Sequence, residues 1–152
     1  MKSTAIISLL LSCALLTACG DKNGEKEANA MLEQATALFQ NGQYADAIAT
    51  IDSLRREYPK AIETRKKALT LYQEASLKQA QEDLAITDSL LLAAKAEYEQ
   101  KKVAVEKSKA NLTATAEELT DLTLTKMRMD SLQVRFDTEC EKIKYIHKKQ
   151  KE

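Results

Sequence analysis

The sequence predicts an all-α fold, a short helical hairpin followed by a long antiparallel coiled-coil hairpin, on three observations. Residues 60–152 contain neither Gly nor Pro and are rich in Ala, Leu, Glu, Lys and Gln, which favour helix. Residues 28–59 hold two apolar-periodic stretches separated at Gly42 and ended by Pro59. From Leu77 onward, apolar residues recur every seven positions, as in a coiled coil.

The short hairpin is predicted over residues 28–74. Its apolar positions are Ala35, Leu38, Phe39, Ala47, Ile48, Ile51 and Leu54. Gly42 suits the left-handed cap that ends a first helix, and Pro59 ends the second. Small residues at 35 and 47 allow the two helices to approach closely. We expect a third helix after Pro59 to cover this pair with Ala61, Ile62, Ala68, Leu69 and Tyr72.

The spacing of the small residues, Gly42, Tyr44 and the final Tyr58-Pro59 resembles one tetratricopeptide (TPR) repeat. The likeness is greatest to the variant found in outer-membrane assembly lipoproteins, and it covers residues 28–59. It implies a peptide-binding face, for which the candidate residues are Phe39, Tyr44, Tyr58 and Tyr72. Core packing is the competing interpretation of these four side chains, because one repeat offers only a shallow groove.

The coiled-coil hairpin is predicted over residues 75–152. Its first arm carries the seam Leu77, Leu84, Leu91, Tyr98, Val105 and Leu112, and its second carries Leu122, Met129, Phe136 and Ile143. The bend is expected at residues 109–115, because Thr115 and Glu118 fit a capping box. Arms of about 35 residues would project roughly 50 Å. The alternative is one continuous helix whose seam is buried between copies of the chain, and a homo-oligomer through the coiled coil stays open.

One positive charge, Lys2, precedes an apolar stretch over residues 5–16 that is too short to span a bilayer. Leu16-Thr17-Ala18-Cys19 and a polar tract follow. This order resembles the lipobox of bacterial lipoproteins, which signal peptidase II cleaves. The resemblance implies a signal peptide over residues 1–18, lipid attached to Cys19, and a flexible tether over residues 19–27. An ordinary signal peptide or an uncleaved anchor is the alternative.

Composition and motifs favour a protein that is not an enzyme. Without residues 1–18 the chain keeps 22 Lys and Arg against 23 Asp and Glu, which gives no bulk attraction to nucleic acid. The sequence has no phosphate-binding Gly-rich loop and no metal-ligand motif, so we predict no cofactor and no metal site. Cys140 lies two helical turns, about 10.5 Å, from His147, too far to share a metal ion. His147 and the lysines beside it suit a helix C-terminus or, alternatively, membrane headgroups.

The tripeptide Asp-Ser-Leu occurs three times and makes Ser53, Ser89 and Ser131 candidate glycosylation sites. It resembles the O-glycosylation sequon of exported proteins in Bacteroides-type bacteria. The competing interpretation is an accident of helical composition.

The predicted function is that of a non-catalytic scaffold or adaptor lipoprotein of the cell envelope, at the outer membrane, that binds a protein partner. The membrane holds it through Cys19, and the periplasmic and surface faces both stay open. The alternative is a peptide-binding accessory component of an envelope assembly or uptake complex.

Overall fold

A computed structural model describes residues 24–152, and within that range the chain is helical without strands. The helices are α1 (Glu25–Gln40), α2 (Tyr44–Glu57), α3 (Ile62–Ala110) and α4 (Ala116–Lys149). The 49 residues of α3 extend about 75 Å and form the spine of the molecule. The α1–α2 hairpin packs on its first part, and α4 returns antiparallel along the rest. The predicted all-α class and the long hairpin are confirmed.

Small side chains bring the first three helices close together. Ala28, Ala35, Ala47, Ala61 and Ala68 are fully buried, together with Ile51 and Leu54. The buried Thr64 of α3 donates its hydroxyl to the Glu25 carboxylate at 2.6 Å and lies 3.0 Å from the Asn29 side-chain oxygen. The beginning of α1 is therefore bonded to the beginning of α3.

The predicted tether is too long at its C-terminal end. The first helix begins at Glu25, so residues 25–27 are helical rather than flexible. Acidic Glu25 and Glu27 suit the positive end of a helix, and the bond to Thr64 holds the first turn in place. Residues 1–23, with the predicted signal peptide and Cys19, lie outside the described residues.

The third helix runs without a break across the predicted boundary between residues 74 and 75, because nothing in its sequence interrupts it. Of the residues expected to cover the short hairpin, Ala61 and Ala68 are buried and Tyr72 packs against the core. The expectation was wrong for Ile62 and Leu69, which are 52% and 48% exposed. Each lies one position further around the helix than a buried alanine.

The seam between α3 and α4 is narrow. On α3 the buried positions are Ala80, Thr87, Leu91, Ala94 and Val105, and Leu77, Leu84 and Tyr98 are half-buried. On α4 the large seam residues Leu122, Met129, Phe136 and Ile143 are all half-buried. The small residues Ala80, Thr87 and Ala94 are therefore among the most buried residues of the seam, whereas Leu91 and Val105 are the only large predicted seam residues of α3 that are buried.

The bend falls where the capping box predicts it. The Thr115 backbone N–H donates to the Glu118 carboxylate at 2.9 Å, and the Glu118 N–H donates to the Thr115 hydroxyl at 3.2 Å. One predicted seam residue is wrong, because Leu112 lies past the end of α3 and is 94% exposed.

Candidate interaction surfaces

The tip of the long hairpin is closed by two backbone hydrogen bonds. The Leu112 N–H donates to the Lys109 carbonyl at 3.0 Å, and the Thr113 N–H donates to the Ser108 carbonyl at 2.9 Å. This pairing is the Schellman motif, which places one residue in the left-handed region. That residue is Leu112, with φ 59°, and it is the only non-Gly residue with positive φ in the described part of the chain.

The turn between α1 and α2 uses the same motif with glycine at the equivalent position. There the Gly42 and Gln43 N–H groups donate to the Phe39 and Leu38 carbonyls, and Gly42 has φ 76°. A left-handed residue other than Gly costs about 1–2 kcal/mol. The tip thus holds a large apolar side chain in water, on backbone that glycine would adopt without strain.

Sequence reasoning missed Leu112 as a surface residue because it continues the seven-residue step of the seam. The N-cap signal at Thr115 predicts instead that Leu112 lies outside the helix. An N-cap at 115 places the preceding residues in the connection, where an apolar side chain has no seam to enter.

The outer face of α4 carries a row of exposed apolar residues. Leu124, Met127 and Val134 all expose about 60% of their surface or more. Their spacing puts them on one side of the helix, away from α3. Several exposed apolar residues on one helix face mark an interaction site more often than a single exposed residue does.

At the end opposite the tip, α4 ends before it reaches the level of the first turns of α3. The Gln73 side-chain amide lies 3.5 Å from the Lys149 carbonyl, so the first turns of α3 have no α4 beside them. Two open cavities of about 530 and 220 Å³ adjoin there and share Leu69. We call this surface the basal ledge; its apolar floor is Ile62, Leu69, Tyr72 and Tyr145, and its basic rim is Arg55, Lys66, Lys142 and Lys149.

One polar layer interrupts the seam. The Lys101 ammonium lies 2.8 Å from both Glu97 and Asp121 and donates to the Thr125 hydroxyl at 3.0 Å. The hydrogen bond to Asp121, followed by that to Glu97, raises the pKa of Lys101 above its ordinary value. A cation at this layer favours the register that brings Asp121 opposite it.

The four candidate aromatic residues do not share one groove. Phe39 and Tyr44 contact each other at the α1–α2 turn, with ring centroids 5.5 Å apart. Tyr58 lies at the other end of α2, about 20 Å away, where a Cβ added to Gly24 would meet its ring. Tyr72 packs on the core beneath the Arg55 guanidinium, which is 5.9 Å from its ring centroid.

The three candidate glycosylation serines all lie on helices. Ser89 and Ser131 are exposed, and each hydroxyl donates to the backbone carbonyl four residues earlier. Ser53 is half-buried and accepts a hydrogen bond from Arg56 at 3.1 Å. The first two are thus more accessible to a modifying enzyme than the third.

Cys140 is a half-buried free thiol, and His147 lies 3.3 Å from the Gln150 side chain on an exposed face. Among residues 24–152, no group of His, Cys, Asp and Glu side chains is arranged to hold a metal ion. No helix in the same range is both long and apolar enough to cross a bilayer.

None of the protein-family models, curated proteins or solved structures compared with the chain matches it. Function is therefore inferred from the surfaces of the chain and from its sequence motifs.

Proposed function

We propose that this chain is a lipid-anchored, non-catalytic adaptor of the cell envelope that binds a protein partner through the tip of its long hairpin. Leu112 carries the proposal. Its side chain is 94% exposed and its backbone is left-handed. Both features cost free energy within the chain, because apolar surface stays in water and a Cβ occupies a position suited to glycine. Burial in an apolar pocket of a partner would recover the first of these costs.

The anchor is proposed from the lipobox resemblance at Leu16–Cys19. Acyl chains on Cys19 would contribute about 0.8 kcal/mol per buried CH₂, and stable attachment takes more than one chain. Position 19 precedes Gly24 by five residues, and α1 begins beside the start of α3. The tip then lies about 70 Å from the attachment end, far enough to reach a partner beyond the headgroups.

An adaptor role also fits the chemistry of the described surfaces. The exposed apolar side chains of the tip and of the outer face of α4 stand on convex surfaces, which suit a macromolecular partner better than a small substrate. The peptide-receptor alternative relies on Phe39, Tyr44, Tyr58 and Tyr72, which are divided between separate places. We therefore favour the tip over the short hairpin as the partner-binding element.

The test of the tip is Leu112→Gly in the native lipoprotein, followed by crosslinking in cells and identification of the captured protein. We expect partner recovery to fall at least about tenfold, because burying one Leu is worth about 1.5–3 kcal/mol. The thermal stability of the variant should stay level or rise, since glycine relieves the strained position. The matched control is Leu112→Met, which keeps an apolar side chain and should retain the partner. Unchanged capture by Leu112→Gly would refute the tip as the binding element.

The anchor is tested separately with Cys19→Ser. We expect this variant to keep its first eighteen residues and to lack lipid mass, both measured by intact-mass analysis. Normal processing would contradict lipid attachment at this residue.

A further inference from the structure

We propose that the basal ledge is a docking surface for anionic lipid headgroups, which seats the helical body on the membrane and points the long hairpin away from it. This inference rests on the lipid anchor of the proposed function and specifies how the anchored protein is oriented. The floor of the basal ledge is apolar and partly exposed: Ile62 is 52% accessible, Leu69 48% and Tyr145 61%.

The composition of the ledge matches that of a membrane-interface surface. Tyrosine concentrates at the level of the headgroups, where its ring is buried and its hydroxyl stays wet. Tyr145 fits this description and carries the Lys149 ammonium 5.8 Å from its ring centroid. Lysine and arginine around an apolar floor are the side chains that anionic lipid attracts.

The two chain segments beside the ledge are positively charged, which favours an anionic lipid surface as its occupant. Residues 60–67 hold four basic residues against one acidic residue, and residues 142–151 hold five lysines and no acidic residue. Each of the four rim side chains has an acidic neighbour: Arg55 pairs with Asp52, Lys66 with Glu63, Lys142 with Glu139 and Lys149 with Glu152. These pairs are exposed and weak except at Glu139, whose side chain is mostly covered, and the two segments keep their excess of basic over acidic residues.

The position of the ledge favours a membrane over an acidic protein as its occupant. Thr64 bonds to Glu25, which places the first turn of α1 beside the first turn of α3, at the ledge end of the molecule. Four residues separate Cys19 from Gly24, so the five Cα–Cα steps between them reach at most about 18 Å. A lipid on Cys19 would therefore hold the ledge close to headgroups, whereas an acidic protein partner would have to enter the same narrow space.

The experiment uses the fact that the chain contains no tryptophan. Tyr145→Trp and, separately, Leu112→Trp each introduce one fluorophore into the lipidated full-length protein, which is reconstituted in vesicles that carry brominated lipid. Vesicles contain either anionic and zwitterionic lipid or zwitterionic lipid alone. We expect the indole at position 145 to be quenched in the anionic vesicles and the indole at position 112 to be unquenched in both.

Two charge variants in the Tyr145→Trp background test the basic rim. Lys142→Gln with Lys149→Gln should lower the ratio of docked to undocked protein by about tenfold or more, because each lysine near an anionic surface contributes about a fivefold factor. The matched pair at the far end, Lys102→Gln with Lys109→Gln, should leave the quenching unchanged. High salt should also lower the fraction of docked protein, because it screens the attraction between the lysines and the anionic lipid.

The outcomes separate the anchor from the docking. Protein that does not float with vesicles of either kind overturns the lipid anchor and, with it, this proposal. Protein that floats but shows equal quenching at position 145 in both kinds of vesicle, or none, overturns the docking alone. In that case the ledge is left for an acidic protein partner.

Discussion

The Lys101 ammonium on α3 lies 2.8 Å from the Asp121 carboxylate on α4, and this ion pair joins the two arms of the long hairpin across the seam. Thr125 receives a hydrogen bond from the same ammonium, and its own hydroxyl donates to the Asp121 carbonyl at 2.9 Å. The three residues thus form one polar layer that fixes the arms in register.

The first prediction concerns pH. Asp121 and then Glu97 raise the pKa of Lys101 in the folded chain above its ordinary value of 10.5. The stabilisation is therefore fully present below pH 10.5 and is lost as the pH rises through the higher folded value. Thermal melts followed by circular dichroism should show a fall in Tm in this alkaline range, and Lys101→Met should reduce that fall.

The control for this prediction is Lys126→Met. Lys126 also has a raised pKa, but its partner Asp130 lies on the same helix. We expect this variant to keep most of the alkaline fall of the wild type. An equal effect of the two variants would show that the pair between the arms has no special role.

The second prediction concerns the capping box at the bend. Thr115→Ala removes the acceptor of the Glu118 N–H and should lower the free energy of unfolding by about 1 kcal/mol. Thr120→Ala is the control, because that hydroxyl only donates to the Ala116 carbonyl within the same helix, and a change within about 0.5 kcal/mol is expected. Urea unfolding of both variants measures the difference, and equal losses would contradict a role for the cap.

The third prediction compares two glycines with positive φ. A Cβ at Gly24 would lie 2.6 Å from the Tyr58 ring, whereas a Cβ at Gly42 would meet no atom within 4 Å. Gly42→Ala should cost about 1 kcal/mol, from backbone strain alone. Gly24→Ala should cost about 2 kcal/mol or more, because the Tyr58 ring must also move. Denaturant unfolding ranks the two variants, and the reverse order would argue against the packing of Tyr58 on Gly24.

The fourth prediction concerns glycosylation in the native cell. We expect intact-mass analysis to show sugar mass beyond the polypeptide and lipid. Ser89→Ala and Ser131→Ala should each remove one glycan, whereas Ser53→Ala should have a smaller effect because Ser53 is half-buried. A native mass explained by polypeptide and lipid alone would exclude all three sites.

Local chemistry made much of the fold predictable. Gly42 and Pro59 mark the ends of the first two helices, and the pairing of Thr115 with Glu118 marks the bend. Each of these signals acts through backbone groups only a few residues away, so the sequence pattern contains the whole cause.

The remaining features depend on contacts across the molecule. The start of α1 depends on a hydrogen bond from Thr64, which lies 39 positions later in the chain. The exposure of Ile62 and Leu69 depends on where α4 ends, and periodicity within α3 contains no information on that. Leu112 keeps the seven-residue spacing of the seam, but it does not lie on the seam because α3 ends before it.

The joining of α4 to α3 only, with neither α1 nor α2 in contact among the described residues, has a mechanical consequence. A force applied between the tip and the start of α1 would pass through α3 and the α1–α2 hairpin, because the far end of α4 is held by α3 alone. The seam with α4 would lie outside the path of that force, and the alanine-packed unit would be the part that resists it.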